Sequence, residues 1–245
     1  MADRIRLDIA LEQRGLAKSR SRARDAILRR TVTINGIVID KPGQLVSTID
    51  RVEIDDPAGA YVSRAALKLI AGLDAASISP TRRVCLDVGS STGGFTQVLA
   101  ERGAARIYAV DVGRDQLHAD IRALPAVVSL EQTNARDLTS NEIPEPIDLL
   151  VCDVSFVSVT KVLDVPLAFC RPGADAVILI KPQFEVGRDA IGKGGVVTDA
   201  EAVDRATRDV VTFMARHGWD LRHALPSPIA GGDGNSETVA VFRRR

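Results

Sequence analysis

No stretch of this 245-residue chain is apolar for long enough to cross a bilayer: its longest uninterrupted apolar run is Ala176 to Ile180, against the roughly 20 residues that a spanning helix needs. The opening residues, MADRIRLD, carry charge where a signal peptide carries its apolar segment, so a cytoplasmic protein is expected. Cysteine is scarce. Cys85 and Cys152 lie inside strand-like apolar runs and Cys170 near a helix end, and the absence of a CxxC pair or clustered histidines argues against disulfides and against any metal site. Net charge is missing too, since 32 basic side chains balance 32 acidic ones. What is present, 45% hydrophobic and 26% charged residues, belongs to a soluble globular protein able to build a core. The length suits a small domain followed by a medium one.

The balanced total hides an uneven spread. Between Arg14 and Arg30 stand seven basic residues (Arg14, Lys18, Arg20, Arg22, Arg24, Arg29 and Arg30) and one acid, Asp25, a local net charge of +6. A polyanion is the natural partner of such a stripe. Leu7, Ala10 and Leu11 keep helical spacing up to Gly15, and Ser19 can cap a second helix whose apolar face is Ala23, Ile27 and Leu28. Arg20 and Arg24, four apart, fall on one face of it. Val32 to Ile39 alternates around Asn35-Gly36, a type I′ hairpin signature, and Val46, Val52 and Ile54 suggest further short strands before the turn-rich Asp55 to Gly59.

The remainder alternates strands with helices. Val84 to Val88 is an apolar strand leading into Gly89-Ser90-Ser91-Thr92-Gly93-Gly94, after which Phe95 to Ala100 resumes helical spacing. Glycines there let a nucleotide approach the backbone, and the helix start offers free N–H groups. The spacing departs from the G-x-G-x-x-G that accommodates a pyrophosphate, so a dinucleotide is the poorer ligand. The next strand, Arg106 to Val110, ends at Asp111, where a carboxylate can accept both hydroxyls of a ribose. Further strands are expected at Ala126 to Leu130 (leading into Asn134 to Asp137), Ile147 to Cys152 (ending at Asp153), Ala176 to Ile180 (ending at Lys181), and near Trp219 to Ala224 and Glu237 to Phe242. A helix from about Tyr61 to Leu73 would bury Val62, Ala66, Leu69 and Leu73 and turn Tyr61, Arg64 and Lys68 outward. Thr198 to Glu201 reads as a capping box for a helix to about His217, and the glycine-rich Gln183 to Val197 as a lid or RNA-contacting loop. This pattern predicts an α/β fold, a mainly parallel, doubly wound sheet with ligands at the carboxyl ends of its strands. Asp153 and Lys181 stand at that edge, where charge is costly unless used or paired.

Two resemblances join these readings. Arg6 to Ile54, with RLDIALEQRGLAKSRSRARDAI and VTINGIVIDKPG, resembles the S4 RNA-binding domain, a small α+β module that holds structured RNA with its helical face and hairpin. The motifs YVSRAALKL, LDVGSSTGGFT, NARDL, CDVSF, IKPQFEVG, GKGGVVTD and NSETVAVF, in order along the whole chain, resemble the TlyA family. That resemblance implies an S4 domain (1–57), a linker (58–62) and a Rossmann-like, FtsJ-like methyltransferase domain (63–245) with helices on both faces of its sheet. It further implies S-adenosylmethionine-dependent 2′-O-methylation of a ribosomal RNA cytidine, with the tetrad Lys68, Asp153, Lys181 and Glu237. The cofactor would be held by Asp87, Gly89, Ser91, Thr92, Gly93 and Gly94, with Asp111 at its ribose and Asp137 at its adenine. RNA would meet Lys18, Arg20, Arg22, Arg24 and Arg64. The partner is ribosomal RNA or a ribosomal subunit, with no membrane and no obligate protein partner evident. Some members of the family continue into a helical tail and modify both subunits; a chain stopping at Arg245, after its last strand, is expected to act on the large subunit alone. Two alternatives compete. A haemolysin-like membrane-active protein would need a spanning segment or an aromatic amphipathic helix, and a non-catalytic ribosome-associated RNA-binding protein would not need all four tetrad positions.

Overall fold

A computed structural model describes residues 4–245, apart from the side chains of Arg188 and Lys193, and divides into two compact units that meet between Ala60 and Tyr61. In the first, β1 (Ile5–Arg6) leads into α1 (Leu7–Gln13) and α2 (Arg20–Leu28), followed by β2 (Val32–Ile34), β3 (Ile37–Ile39), β4 (Leu45–Val46) and β5 (Val52–Ile54). Ser19 Oγ caps α2 by accepting from Arg22 N. Asn35 and Gly36 both take positive φ (51° and 83°), the pair of left-handed residues that a type I′ turn between β2 and β3 requires. Leu7, Leu11, Ala23, Ile27, Val32 and Val46 make its core. The turn after β5 is part of this unit, because Ala58 is fully buried and Arg29 grips Asp56 with both arms at 2.5 and 2.7 Å.

The second unit runs α3 (Ala66–Ala75), β6 (Val84–Val88), α4 (Gly94–Glu101), β7 (Arg106–Val110), α5 (Ala119–Arg122), β8 (Val127–Leu130), β9 (Ile147–Cys152), α6 (Asp164–Ala168), β10 (Cys170–Ile180), α7 (Pro182–Glu185), α8 (Ala200–Arg216), β11 (Trp219–Pro226) and β12 (Thr238–Arg244). Its seven strands lie in the order β11-β12-β10-β9-β6-β7-β8, parallel from β10 to β8, with β12 antiparallel to both β10 and β11. Alternate residues of the central strands feed two cores. Leu86, Leu150, Cys152 and Ile178 pack under α6 and α8, while Cys85, Leu149, Val151 and Val177 pack under α3 and α4. Burial on both faces is why these strands read as continuous apolar runs. The order reverses between β6 and β9, so the turns that follow those strands flank the crevice where such sheets bind ligands.

Three expectations need correction. Helix α3 begins at Ala66 rather than Tyr61: ahead of it Val62 N–H donates to Gln97 Oε1 at 2.8 Å and Ala65 N–H to Ser63 Oγ at 3.2 Å, and Ala66, Leu67 and Lys68 N–H reach only three residues back, so the first four-residue bond is that of Leu69 N–H to Ala65 O. Strand β10 starts six residues before Ala176 and carries Pro172 and Gly173 at an irregularity in its pairing with β9, the setting in which a strand tolerates them. The cap of α8 is Asp199, which accepts from Glu201 N, and not Thr198.

Candidate active site

The carboxyl end of β6 builds the glycine turn. At Gly89 the backbone has φ 84°, and an added Cβ would lie 2.9 Å from Asp153 O, so only glycine lets the turns after β6 and β9 approach each other. Gly93 is the N-cap of α4 and Gly94 its first residue. Behind the turn, Asp87 is wholly buried, accepts from Thr96 Oγ1 at 2.6 Å, and leaves Oδ1 without a donor; Ser90 Oγ is buried and equally unmatched. Burial first, then the charges of Asp153 and Asp111, push the Asp87 carboxyl up to about 7.

Two adjoining cavities open on this turn. The larger, about 490 Å³, runs from Gly89 and Ser91 past Asp111, Val112 and Gln116 to Asn134, Ala135 and Arg136. The smaller, about 130 Å³, is reached by Ser63, Thr92, Gly94 and Lys181, and both cavities share Gly89, Ser91, Asp153 and Ser155. Asp111 Oδ2 accepts from Ser91 N at 2.8 Å and Oδ1 from Gly113 N at 2.7 Å, which pins the carboxylate at the cavity wall. Asp137 is exposed and lines neither cavity; its neighbours Asn134, Ala135 and Arg136 do.

The four tetrad residues form two ion pairs. Lys181, ending β10, lies 2.6 Å from Asp153 Oδ1, and its hydrogen bond goes to Ser155 Oγ at 2.8 Å; Asp153 Oδ1 itself receives no hydrogen bond, so that contact is one of charge alone. Lys68 Nζ bonds Glu237 Oε2 at 2.5 Å, with both side chains buried. Lys68 was expected on a solvated face, and the reason for its burial is Gly72. A Cβ there would meet Val177 and Val239 at 2.7 and 2.8 Å, so the missing side chain lets α3 settle on β10 and β12, and Lys68, four residues earlier on the same face, is drawn in with it.

Two clamps hold the surrounding loops. Glu185, at the end of α7, accepts from Ser158 Oγ at 2.6 Å and Val159 N at 2.9 Å, joining the turn after β9 to the segment after β10. Asn235, buried two residues before Glu237, accepts from Val197 N and donates to Gly195 O, both at 2.9 Å, fastening the glycine-rich segment. Ser155 and Asn235 were not singled out from sequence. Both stood inside recognised motifs, CDVSF and NSETVAVF, but neither carries a charge that marks it.

The basic stripe lies in the first unit and is less bare than the sequence window suggests. Buried Asp8 accepts from Arg6 at 3.0 Å and Arg20 at 3.0 Å, and these bonds, Arg6 first, hold its carboxyl at about 2 against the opposing effect of burial. Arg29 is committed to Asp25 and Asp56, and Arg14 to the carbonyls of Ser47 and Asp50. Lys18 and Arg24 are exposed and form no ion pair among the described residues. Arg64 belongs to the second unit, just before α3.

Comparison with known proteins adds the following. The family described as FtsJ-like methyltransferase matches residues 61–244, and the S4 domain matches residues 5–52. A Mycobacterium tuberculosis protein named 16S/23S rRNA (cytidine-2′-O)-methyltransferase TlyA is 44% identical over 244 residues, 99% of this chain and 91% of that one. A solved structure described as a hemolysin from Streptococcus thermophilus has a TM-score of 0.76 at 32% identity, covering 100% of this chain and 90% of that one. A S-adenosylmethionine-dependent methyltransferase from Listeria monocytogenes, at 12% identity and TM-score 0.54 over 73% of this chain and 100% of that one, shares the fold.

Proposed function

The chain belongs to the TlyA family, FtsJ-like methyltransferases with an N-terminal S4 domain, and on that premise we propose that it transfers a methyl group from S-adenosylmethionine to the 2′-hydroxyl of a cytidine in ribosomal RNA. The observation that carries this reading is the pairing of Lys181 with Asp153 where both border the smaller cavity, with the second pair, Lys68 and Glu237, buried and lining neither cavity. S-adenosylmethionine fits the residues present. Its ammonium and sulfonium are cationic, and the turn offers the unmatched, buried Asp87 Oδ1, while Asp111 keeps lone pairs for ribose hydroxyls. When bound, it supplies an electrophilic methyl group on a positively charged sulfur.

The chain's own residues do the rest. Gly89, Ser91 and Gly94 bring backbone to the ligand, and Asp111 orients it. Lys181, deprotonated, takes the proton of the ribose hydroxyl as that oxygen is alkylated, and Asp153 balances the charge that Lys181 gains. Lys68 and Glu237 hold each other in place at the edge of β12, which keeps either charge from being stranded. Asp137, as the adenine contact, rests on the family resemblance. Such an enzyme works in the cytoplasm; the haemolysin name belongs to its Streptococcus relative, and no helix of the described residues is long and apolar enough to cross a membrane.

Purified ribosomal subunits, incubated with the protein and cofactor and digested to nucleosides, are expected to yield 2′-O-methylcytidine by mass spectrometry. The expectation of large-subunit specificity is tested in the same assay by offering both subunits separately, since the Mycobacterium relative is named for both. Methylation of neither would reject the function, and methylation of the small subunit would reject the specificity. For the cofactor, Asp111→Ala is expected to weaken S-adenosylmethionine about tenfold by calorimetry, the worth of a hydrogen bond or two, and Asp111→Asn less. Tighter binding of NAD than of S-adenosylmethionine would instead favour a dehydrogenase.

For RNA, we assign contact to the S4 unit through Lys18, Arg20, Arg22 and Arg24, and separately to Arg64 in the second unit. Removing Lys18 and Arg24 together is expected to lower the salt dependence of RNA binding by roughly one unit of slope per lost phosphate contact, with cofactor affinity unmoved. An unchanged slope would mean that these cations face solvent only.

A further inference from the structure

We propose that Ser155 is a positioning residue that aims the amine of Lys181 at the ribose hydroxyl, an inference that rests on the base role given to Lys181 above. Within the described residues the hydrogen bond of Lys181 Nζ goes to Ser155 Oγ, at 2.8 Å, while its closer neighbour Asp153 offers charge without hydrogen-bond geometry. Both come from the turn after β9, and both line the two cavities.

The number of donors decides what this arrangement can do. A lysine that has given up one proton keeps two N–H groups and one lone pair. Ser155 accepts from one of those N–H groups and the charge of Asp153 lies beside the amine, so the lone pair is left with a direction away from both. The directional bond goes to Ser155, so it is Ser155 that sets where the lone pair points. The O–H proton of the ribose then passes to Nζ and restores the ammonium, which releases a proton to water afterwards. A hydroxyl that accepts from Lys181 keeps its own proton free to be donated elsewhere, and Ser155 lines both cavities.

The test compares Ser155→Ala with Ser155→Thr in the full chain. For alanine, kcat is expected to fall about tenfold or more, the worth of a bond to a charged donor, with KM for RNA and binding of S-adenosylmethionine unchanged. Threonine keeps the hydroxyl and is expected to restore most of kcat. A second readout does not need turnover: the nitrogen-15 ammonium signal of Lys181, identified by its loss in Lys181→Arg, is expected to broaden in the alanine variant and return in the threonine variant, while that of Lys68 stays sharp. An unaltered kcat and ammonium signal would overturn the proposal. So would a loss of kcat that threonine fails to repair, or one matched by an equal loss of cofactor binding. If the unaltered chain methylates nothing but the Lys181 signal responds as described, the positioning role stands and the proposed reaction falls.

Discussion

Lys181→Arg is expected to bind S-adenosylmethionine and RNA like the unaltered chain and to transfer no measurable methyl group. Arginine retains the positive charge beside Asp153 and can still donate to Ser155, so an electrostatic anchor would survive the change. A base would not, because guanidinium does not give up its proton in proteins. Lys181→Ala removes both roles. General base catalysis contributes roughly 10²–10⁴-fold, and each variant is expected to lose at least that much in kcat with little change in binding. Single-turnover methylation with saturating cofactor and RNA is the measurement. Arginine at near-normal rates with alanine inactive would reassign Lys181 to charge stabilisation and leave proton removal to water.

The second large effect is on stability. Lys68 and Glu237 have side chains only 9% and 2% exposed, so Lys68→Met would strand a carboxylate in a nearly closed site. Breaking a buried pair from one side costs about 3–5 kcal/mol, whereas replacing both partners by apolar residues of similar size is often neutral or better. Lys68→Met is therefore expected to shift the denaturation midpoint of the second unit strongly downward, and Lys68→Met with Glu237→Leu to recover most of it. Methylation should stay lost in both. Recovery of activity along with stability would make the pair a structural feature only, and equal destabilisation in the single and double variants would mean that the site tolerates a lone charge.

The central strands were legible because burial on both faces writes an apolar run, and because Asp87, Asp111, Asp153 and Lys181 interrupt or end such runs at the same edge. The environment of Lys68 was not, since the residue that buries it, Gly72, acts through a side chain that it does not have and leaves no mark in a hydrophobic pattern. The beginning of α3 was hidden for a related reason: the segment ahead of it is held by side-chain oxygens of Gln97 and Ser63, one of them 35 positions from its partner. Charge counting over a window failed likewise at the basic stripe, where Asp8 and Asp56 return from outside the window to claim Arg20 and Arg29. Local pattern revealed what faces the core. Contacts between distant positions decided which charges are spent on the fold.

The place of β12 governs when the buried ion pair can form. This strand follows β11 in the chain yet lies between β10 and β11 in the sheet, and Glu237 immediately precedes it. Lys68 and its partner are separated by 169 positions, so the pair forms only once β12 has been inserted between β10 and β11. Without β12 in place, Lys68 has no counter-charge and β10 has an unpaired edge. Insertion of β12 thus closes the edge of β10 and supplies the counter-charge of Lys68 in a single step.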